Sequence, residues 1–271
     1  MKRTHLVIVL LLGFFVLGFS GENAVGGDKP YVNAIKKVDK NYEKRMVQGL
    51  MAMRGSYPHV NKAYAERLVK EAIEVTSMKG NQLMKPHDLL GMALNETDLR
   101  GWLITGTYSK PDCGITQNHT PLFAKSLKAR RALCVRLTKS TKLSFIYAMK
   151  EMNMNRSKYC LRIYRKPVKR KTETLKSFGK RIYKWRNNQF RCAYNLYLQG
   201  PNYLRGPCTK RIRKKGRTPQ EYWKRVARCR FNNNYWLRSM CFAKGVEIGK
   251  KPKYSCRRAG SMWWIRWVYG L

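Results

Sequence analysis

Residues 86–99 read Pro86-His87-Asp88-Leu89-Leu90-Gly91-Met92-Ala93-Leu94-Asn95-Glu96-Thr97-Asp98-Leu99. Proline suits the first turn of a helix, where its missing N–H is no loss. Leu89, Leu90, Met92, Ala93 and Leu94 then make an apolar helix that ends near Glu96. A carboxyl group at the end of such a helix is partly desolvated. Desolvation disfavours the charged form and raises the pKa toward the range useful to a general acid. Upstream, Ile35, Val38, Tyr42, Met46 and Leu50 recur at steps of three and four and predict an amphipathic helix from Val32 to Met53. Ala63, Ala65, Leu68, Ala72 and Val75 predict a second, from about His59 to Met78. Gly55 with Ser56-Tyr57-Pro58 breaks the first, and Lys79-Gly80 ends the second.

Downstream, residues 97–117 carry Gly101, Gly106, Pro111 and Gly114 among Thr, Ser and Asp, which predicts an ordered loop or a small sheet. Helical patterning returns at about Pro121 and runs through Leu127, Leu133, Leu137 and Phe145 to Met152, as two helices meeting around Thr138 to Thr141. Arg162 to Lys176 is a basic connection, and Leu175 to Leu198 is again helical. The expected fold is therefore mainly α. From Gly206 the texture changes to Pro207, the run Lys210-Arg211-Ile212-Arg213-Lys214-Lys215, and Cys229, Cys241 and Cys256 among Tyr, Trp and Arg. Residues 206–271 read as a basic, Cys-rich appendage, with an extension of the main domain as the alternative.

The chain begins Met1-Lys2-Arg3, continues with an apolar run from Leu6 to Phe19 and opens into small residues at Ser20 and Ala24, the pattern of a secretory signal peptide over residues 1–24. That leaves residues 25–205 as the main domain. Eight cysteines in an exported chain predict disulfides. Zinc is the rival, but there is no C-x-x-C pair and His5, His59, His87 and His119 do not sit at ligand spacing, so neither a metal nor another cofactor is expected. The net charge is +42, and residues 151–271 hold 33 Lys and Arg against Glu151, Glu173, Glu221 and Glu247 alone. Such a field favours a polyanion: nucleic acid, anionic lipid, or the phosphate and carboxylate groups of a bacterial envelope. Export favours the envelope.

Two further segments complete a constellation. Asp112-Cys113-Gly114-Ile115-Thr116-Gln117 places Gln117 21 positions after Glu96, and Ala193-Tyr194-Asn195 precedes Gly200-Pro201. Gly114 permits close backbone approach, Gln117 and Asn195 supply amide donors and acceptors, and Tyr194 supplies a flat face with a hydroxyl, the groups a sugar-binding groove needs.

The order of a helix ending in Glu-Thr, then Gly-x-x-Gln, then Ala-Tyr-Asn resembles the soluble lytic transglycosylase and goose-type lysozyme superfamily over roughly residues 60–205. The resemblance implies a lysozyme-like helical fold, peptidoglycan as substrate and cleavage of its MurNAc-GlcNAc β-1,4 bond. It further implies that Glu96 is the catalytic acid and base, with Thr97 in the place of the family's Ser, Gly114 and Gln117 lining the cleft, and Tyr194 and Asn195 near the reacting sugar. Leu196-Tyr197-Leu198-Gln199 separates Asn195 from Gly200, where the family runs almost directly on.

A lytic transglycosylase needs one carboxyl group and leaves a 1,6-anhydro end, whereas a lysozyme-type hydrolase needs two. Asp112 is the more plausible second. Asp98 lies two residues past Glu96 and points elsewhere if the helix continues. Two non-catalytic alternatives stand beside the enzyme: a cationic wall-binding protein, and a nucleic-acid binder using Tyr183, Trp185, Trp223 and Trp236 with the surrounding arginines.

Overall fold

A computed structural model describes residues 40–53, 59–81, 83–199, 234–251 and 256. Seven helices and one small antiparallel sheet make up these residues. The helices are α1 Lys40–Met53, α2 Lys62–Thr76, α3 Pro86–Thr97, α4 Leu127–Lys139, α5 Thr141–Asn155, α6 Leu175–Gln199 and α7 Asn234–Ile248. The sheet holds β1 Ile104–Thr107, β2 Lys110–Cys113 and β3 Asn118–His119 in that spatial order. The mainly α class expected from the sequence is what the chain adopts.

Local chemistry sets the helix ends. The side chain of Asn61 accepts from the Tyr64 N–H at 2.8 Å and starts α2 three residues later than the apolar pattern suggests. Pro86 opens α3, and the Asp88 carboxylate turns back to accept the Lys85 N–H at 2.9 Å. Ser140 ends α4 and caps α5, accepting from the Leu143 N–H at 3.2 Å, so the break falls within the expected Thr138–Thr141 window. Pro121 does not begin an α-helix. It sits in a 3₁₀ turn, Thr120–Leu122, and α4 waits for the cap at Ser126. Beyond α5 the backbone widens into a π turn, Arg156–Cys160, and one further helical turn, Leu161–Ile163. The expected Val32 start of α1 falls outside the described residues.

The core is built around α3, in which Leu89, Leu90, Met92, Ala93 and Leu94 are all buried. Helix α7 crosses it at Gly91, where an added Cβ would lie 2.6 Å from the Ser239 carbonyl oxygen and 2.7 Å from the Ala243 nitrogen. The same helix meets α1 at Gly49, whose Cβ would stand 2.6 Å from the Val246 Cα. Leu237, Met240, Cys241, Phe242 and Val246 of α7 belong to the one large core, with Leu50, Leu68, Phe145 and Tyr194. Of the stretch 206–271, read above as an appendage or as an extension of the main domain, helix α7 packs into this core. It reaches backbone contact because Gly91 of α3 and Gly49 of α1 carry no side chain at the crossings. Residues 206–233 lie outside the described set, as do residues 1–24, read above as a signal peptide.

All six described cysteines are paired, Cys113 with Cys134, Cys160 with Cys192 and Cys241 with Cys256. The first ties β2 to α4 and joins Leu133 and Leu137 in a small apolar cluster beneath the sheet. The second ties the π turn after α5 to the second half of α6.

Candidate active site

Glu96 stands in the last turn of α3, where Asp98 closes the helix in a left-handed conformation (φ 54°), followed by Leu99 (φ 67°). Two successive non-glycine residues at positive φ are costly, and such strain gathers at functional sites. The turn is held by the Tyr64 hydroxyl, which donates to the Leu99 carbonyl at 2.8 Å, and by Thr97. The Thr97 hydroxyl, almost wholly buried, lies 2.8 Å from the Ile115 carbonyl oxygen and 3.1 Å from that of Ala93.

The Tyr194 hydroxyl donates to Glu96 Oε1 at 2.9 Å, and the Asn95 amide reaches both that oxygen, at 3.3 Å, and the Tyr194 hydroxyl, at 3.0 Å. Tyr194 is fully buried in α6 between Phe190 and Tyr197, its ring nearly parallel to theirs, so its hydroxyl is fixed in place. Glu96 keeps a partial opening to solvent. Burial nonetheless dominates its carboxyl and pushes its pKa up to about 7; the Tyr194 and Asn95 hydrogen bonds pull against that rise, and the charge of Asp112 adds to it. Near neutral pH this group both holds and releases a proton.

Facing it is the Gly114–Gln117 turn. Gly114 adopts φ 82°, and a Cβ there would meet the Leu137 carbonyl oxygen and Ser144 Oγ at 2.8 Å each, so only glycine fits between α4 and α5. Gln117, at φ 53°, donates through its amide to the carbonyls of Gly114 (2.9 Å) and Leu103 (3.1 Å) and accepts from Thr105. The Tyr197 hydroxyl donates to the Thr116 carbonyl, tying this turn to α6.

The sheet places Thr105, Asp112 and His119 in one row across its three strands. Asp112 Oδ1 and His119 Nδ1 form a part-exposed hydrogen bond at 2.7 Å. Behind the sheet and the turn, Glu151 of α5 is buried with Oε2 unpartnered among the described residues. Burial, then the charge of Asp112, pushes its carboxyl up to about 8. Tyr197 feels the charges of Glu151 and Glu96, so the two acidic groups flank one buried tyrosine.

The structure therefore brings Glu96, Tyr194 and the Gly114–Gln117 turn together. It gives three expected residues different surroundings, for Gln117 spends its amide on the Gly114 and Leu103 carbonyls and on Thr105. Thr97 spends its hydroxyl on backbone carbonyls. Asn195, fully buried, donates to the Arg191 carbonyl of its own helix at 2.7 Å. Neighbouring helical residues lie about 100° apart, so once Tyr194 faces Glu96, Asn195 faces another way. Asn95, His119 and Glu151 were not singled out in the sequence as site residues. Asn95 had a signal in its adjacency to Glu96; His119 becomes visible only through the strand register, and Glu151 only through its burial. Neither a family model, nor a curated protein, nor a solved structure matches this chain.

Proposed function

We propose that this chain is an exported, peptidoglycan-cleaving lytic transglycosylase with Glu96 as its single catalytic acid and base, on a lysozyme-like helical scaffold. The observation that carries the reading is the Glu96 carboxyl. It is held on one oxygen by Tyr194, poised near neutrality, and set close enough to Asp112 to feel its charge. In its acid form Glu96 protonates the glycosidic oxygen, and the bond from that oxygen to C1 of the muramic acid breaks. Glu96, now a carboxylate, removes the proton of the C6 hydroxyl as that oxygen closes on C1. An internal hydroxyl already in place outcompetes water because it acts at very high effective concentration. The product is a 1,6-anhydro end.

The second reading, a lysozyme-type hydrolase, is favoured by one observation: Asp112 is a carboxylate within electrostatic reach of Glu96 and could act as the second group. Mass analysis of products released from purified walls separates the two. The transglycosylase gives muropeptides lighter by one water than those of a lysozyme, and Asp112→Asn keeps turnover within about tenfold. Products with reducing ends and a dead Asp112→Asn variant establish the hydrolase. Glu96→Gln should bind walls and fail to lyse them in either case; lysis at near-native rate by that variant refutes Glu96 as the catalytic acid, whereas a parent chain that binds walls and releases nothing from them is a cationic wall-binding protein.

A further inference from the structure

We propose that the segment from Lys158 to Lys184 is a docking face for the anionic headgroups of a lipid bilayer. This inference stands apart from the cleavage chemistry and rests on three features of that segment. The first is charge of one sign. Arg165, Lys166, Lys169, Arg170, Lys171 and Lys176 are all exposed, and Glu173 is the only acidic residue between Met152 and Gln199. Glu173 is itself engaged by Arg181, 2.5 Å to one oxygen and 2.8 Å to the other, so it takes its charge out of the field.

The second feature is the position of the aliphatic side chains. Val168 is 81 % exposed and Leu175 75 % exposed, the two highest values among the exposed large hydrophobic residues of the described chain. A surface meant only to attract a phosphodiester polymer has no use for aliphatic tips between its cations. A bilayer rewards both, since headgroup phosphates attract the lysines and arginines while the tips enter the headgroup and acyl boundary. Among the described residues no helix is long and apolar enough to cross a membrane, so this face lies on the surface.

The third feature is that the loop is held in shape. Cys160–Cys192 ties the start of the segment to α6, Arg181 donates to the Val168 carbonyl at 2.7 Å, and the Trp185 indole donates to the Tyr164 carbonyl at 2.9 Å. Val168 is thereby pinned to α6 beside Arg181, about 9 Å along the helix axis from Leu175 at 1.5 Å per residue. Little conformational freedom is left to lose when the face docks.

Sedimentation of the full chain with vesicles tests the proposal, using equal parts phosphatidylglycerol and phosphatidylcholine against phosphatidylcholine alone. The chain should bind the anionic vesicles and release them as salt rises. Val168→Ser with Leu175→Ser should weaken binding at least about tenfold, and each of Lys166→Gln, Lys169→Gln and Lys171→Gln about fivefold. Lys70→Gln with Lys128→Gln, on other elements, should change it less than about twofold. Cleavage of soluble glycans should be unchanged in all of them, which keeps this test independent of the enzyme reading. Unchanged vesicle binding by the aliphatic double variant overturns the proposal. So does a chain that binds duplex DNA or a wall phosphate polymer tightly while ignoring anionic vesicles.

Discussion

At Glu96 two influences oppose each other, and their balance is testable. Burial raises the pKa to about 7, while the Tyr194 hydroxyl, by stabilising the carboxylate, holds it below where burial alone would put it. Tyr194→Phe removes the hydroxyl and little else. A hydrogen bond to a charged group is worth about 1.5–3 kcal/mol, so the alkaline limb of the pH–activity profile should move up by roughly one pH unit or more. Activity at the optimum should fall about tenfold, because Glu96 with a higher pKa is a weaker acid toward the glycosidic oxygen. An alkaline limb that stays in place in this variant removes Tyr194 from the account of Glu96. Thr97 and Asn195 belong to the same scale. Their types fit a sugar groove as written in the sequence, and only the hydrogen bonds show that both are committed to backbone carbonyls.

Among the secondary elements, the decisive feature is the close approach of α7 to α3 at Gly91. Gly91→Ala gains about 1 kcal/mol in helix propensity, yet its methyl meets the backbone of α7 at 2.6–2.7 Å. Overpacking of that kind costs about 1–3 kcal/mol, and more where the obstacle is backbone, so the melting temperature should drop by several degrees. Gly179→Ala is the matched control, since nothing lies within 4 Å of its Cβ, and it should gain about 0.5–1 kcal/mol. Equal shifts in calorimetry for the two variants contradict the packing argument. The helices α2 to α6 were legible in the sequence because apolar spacing of three and four states which face is buried. The place of α7 was not. Residues 234–248 sit beyond a basic stretch and carry an apolar face no stronger than a surface element would. What puts them in the core is the small residue on the facing helix, and spacing within one segment says nothing about its partner.

Across the molecule, two buried carboxyls set how stability depends on acidity. Glu96 and Glu151 both have pKa values raised by burial, to about 7 and about 8. A raised carboxyl pKa means the fold prefers the neutral form. Its contribution is complete below the ordinary carboxylate range and is lost as pH climbs through the folded-state value. The chain should accordingly lose stability between about pH 5 and pH 9, as an alkaline weakening. Glu151→Gln keeps the shape without the ionisation, so relative to the parent it should gain roughly 4 kcal/mol at pH 9 and little at pH 4, read from thermal melts. Parallel melting curves at both pH values refute the role given to Glu151. The position of α7 has a consequence in time. It is the last described helix to leave the ribosome, yet it covers the helix that bears Glu96. Until residue 248 is available, that helix has one side bare at Gly91, and the core around it is incomplete. The fold therefore carries its own delay. On the reading proposed above, lytic activity begins only where the finished polypeptide has folded.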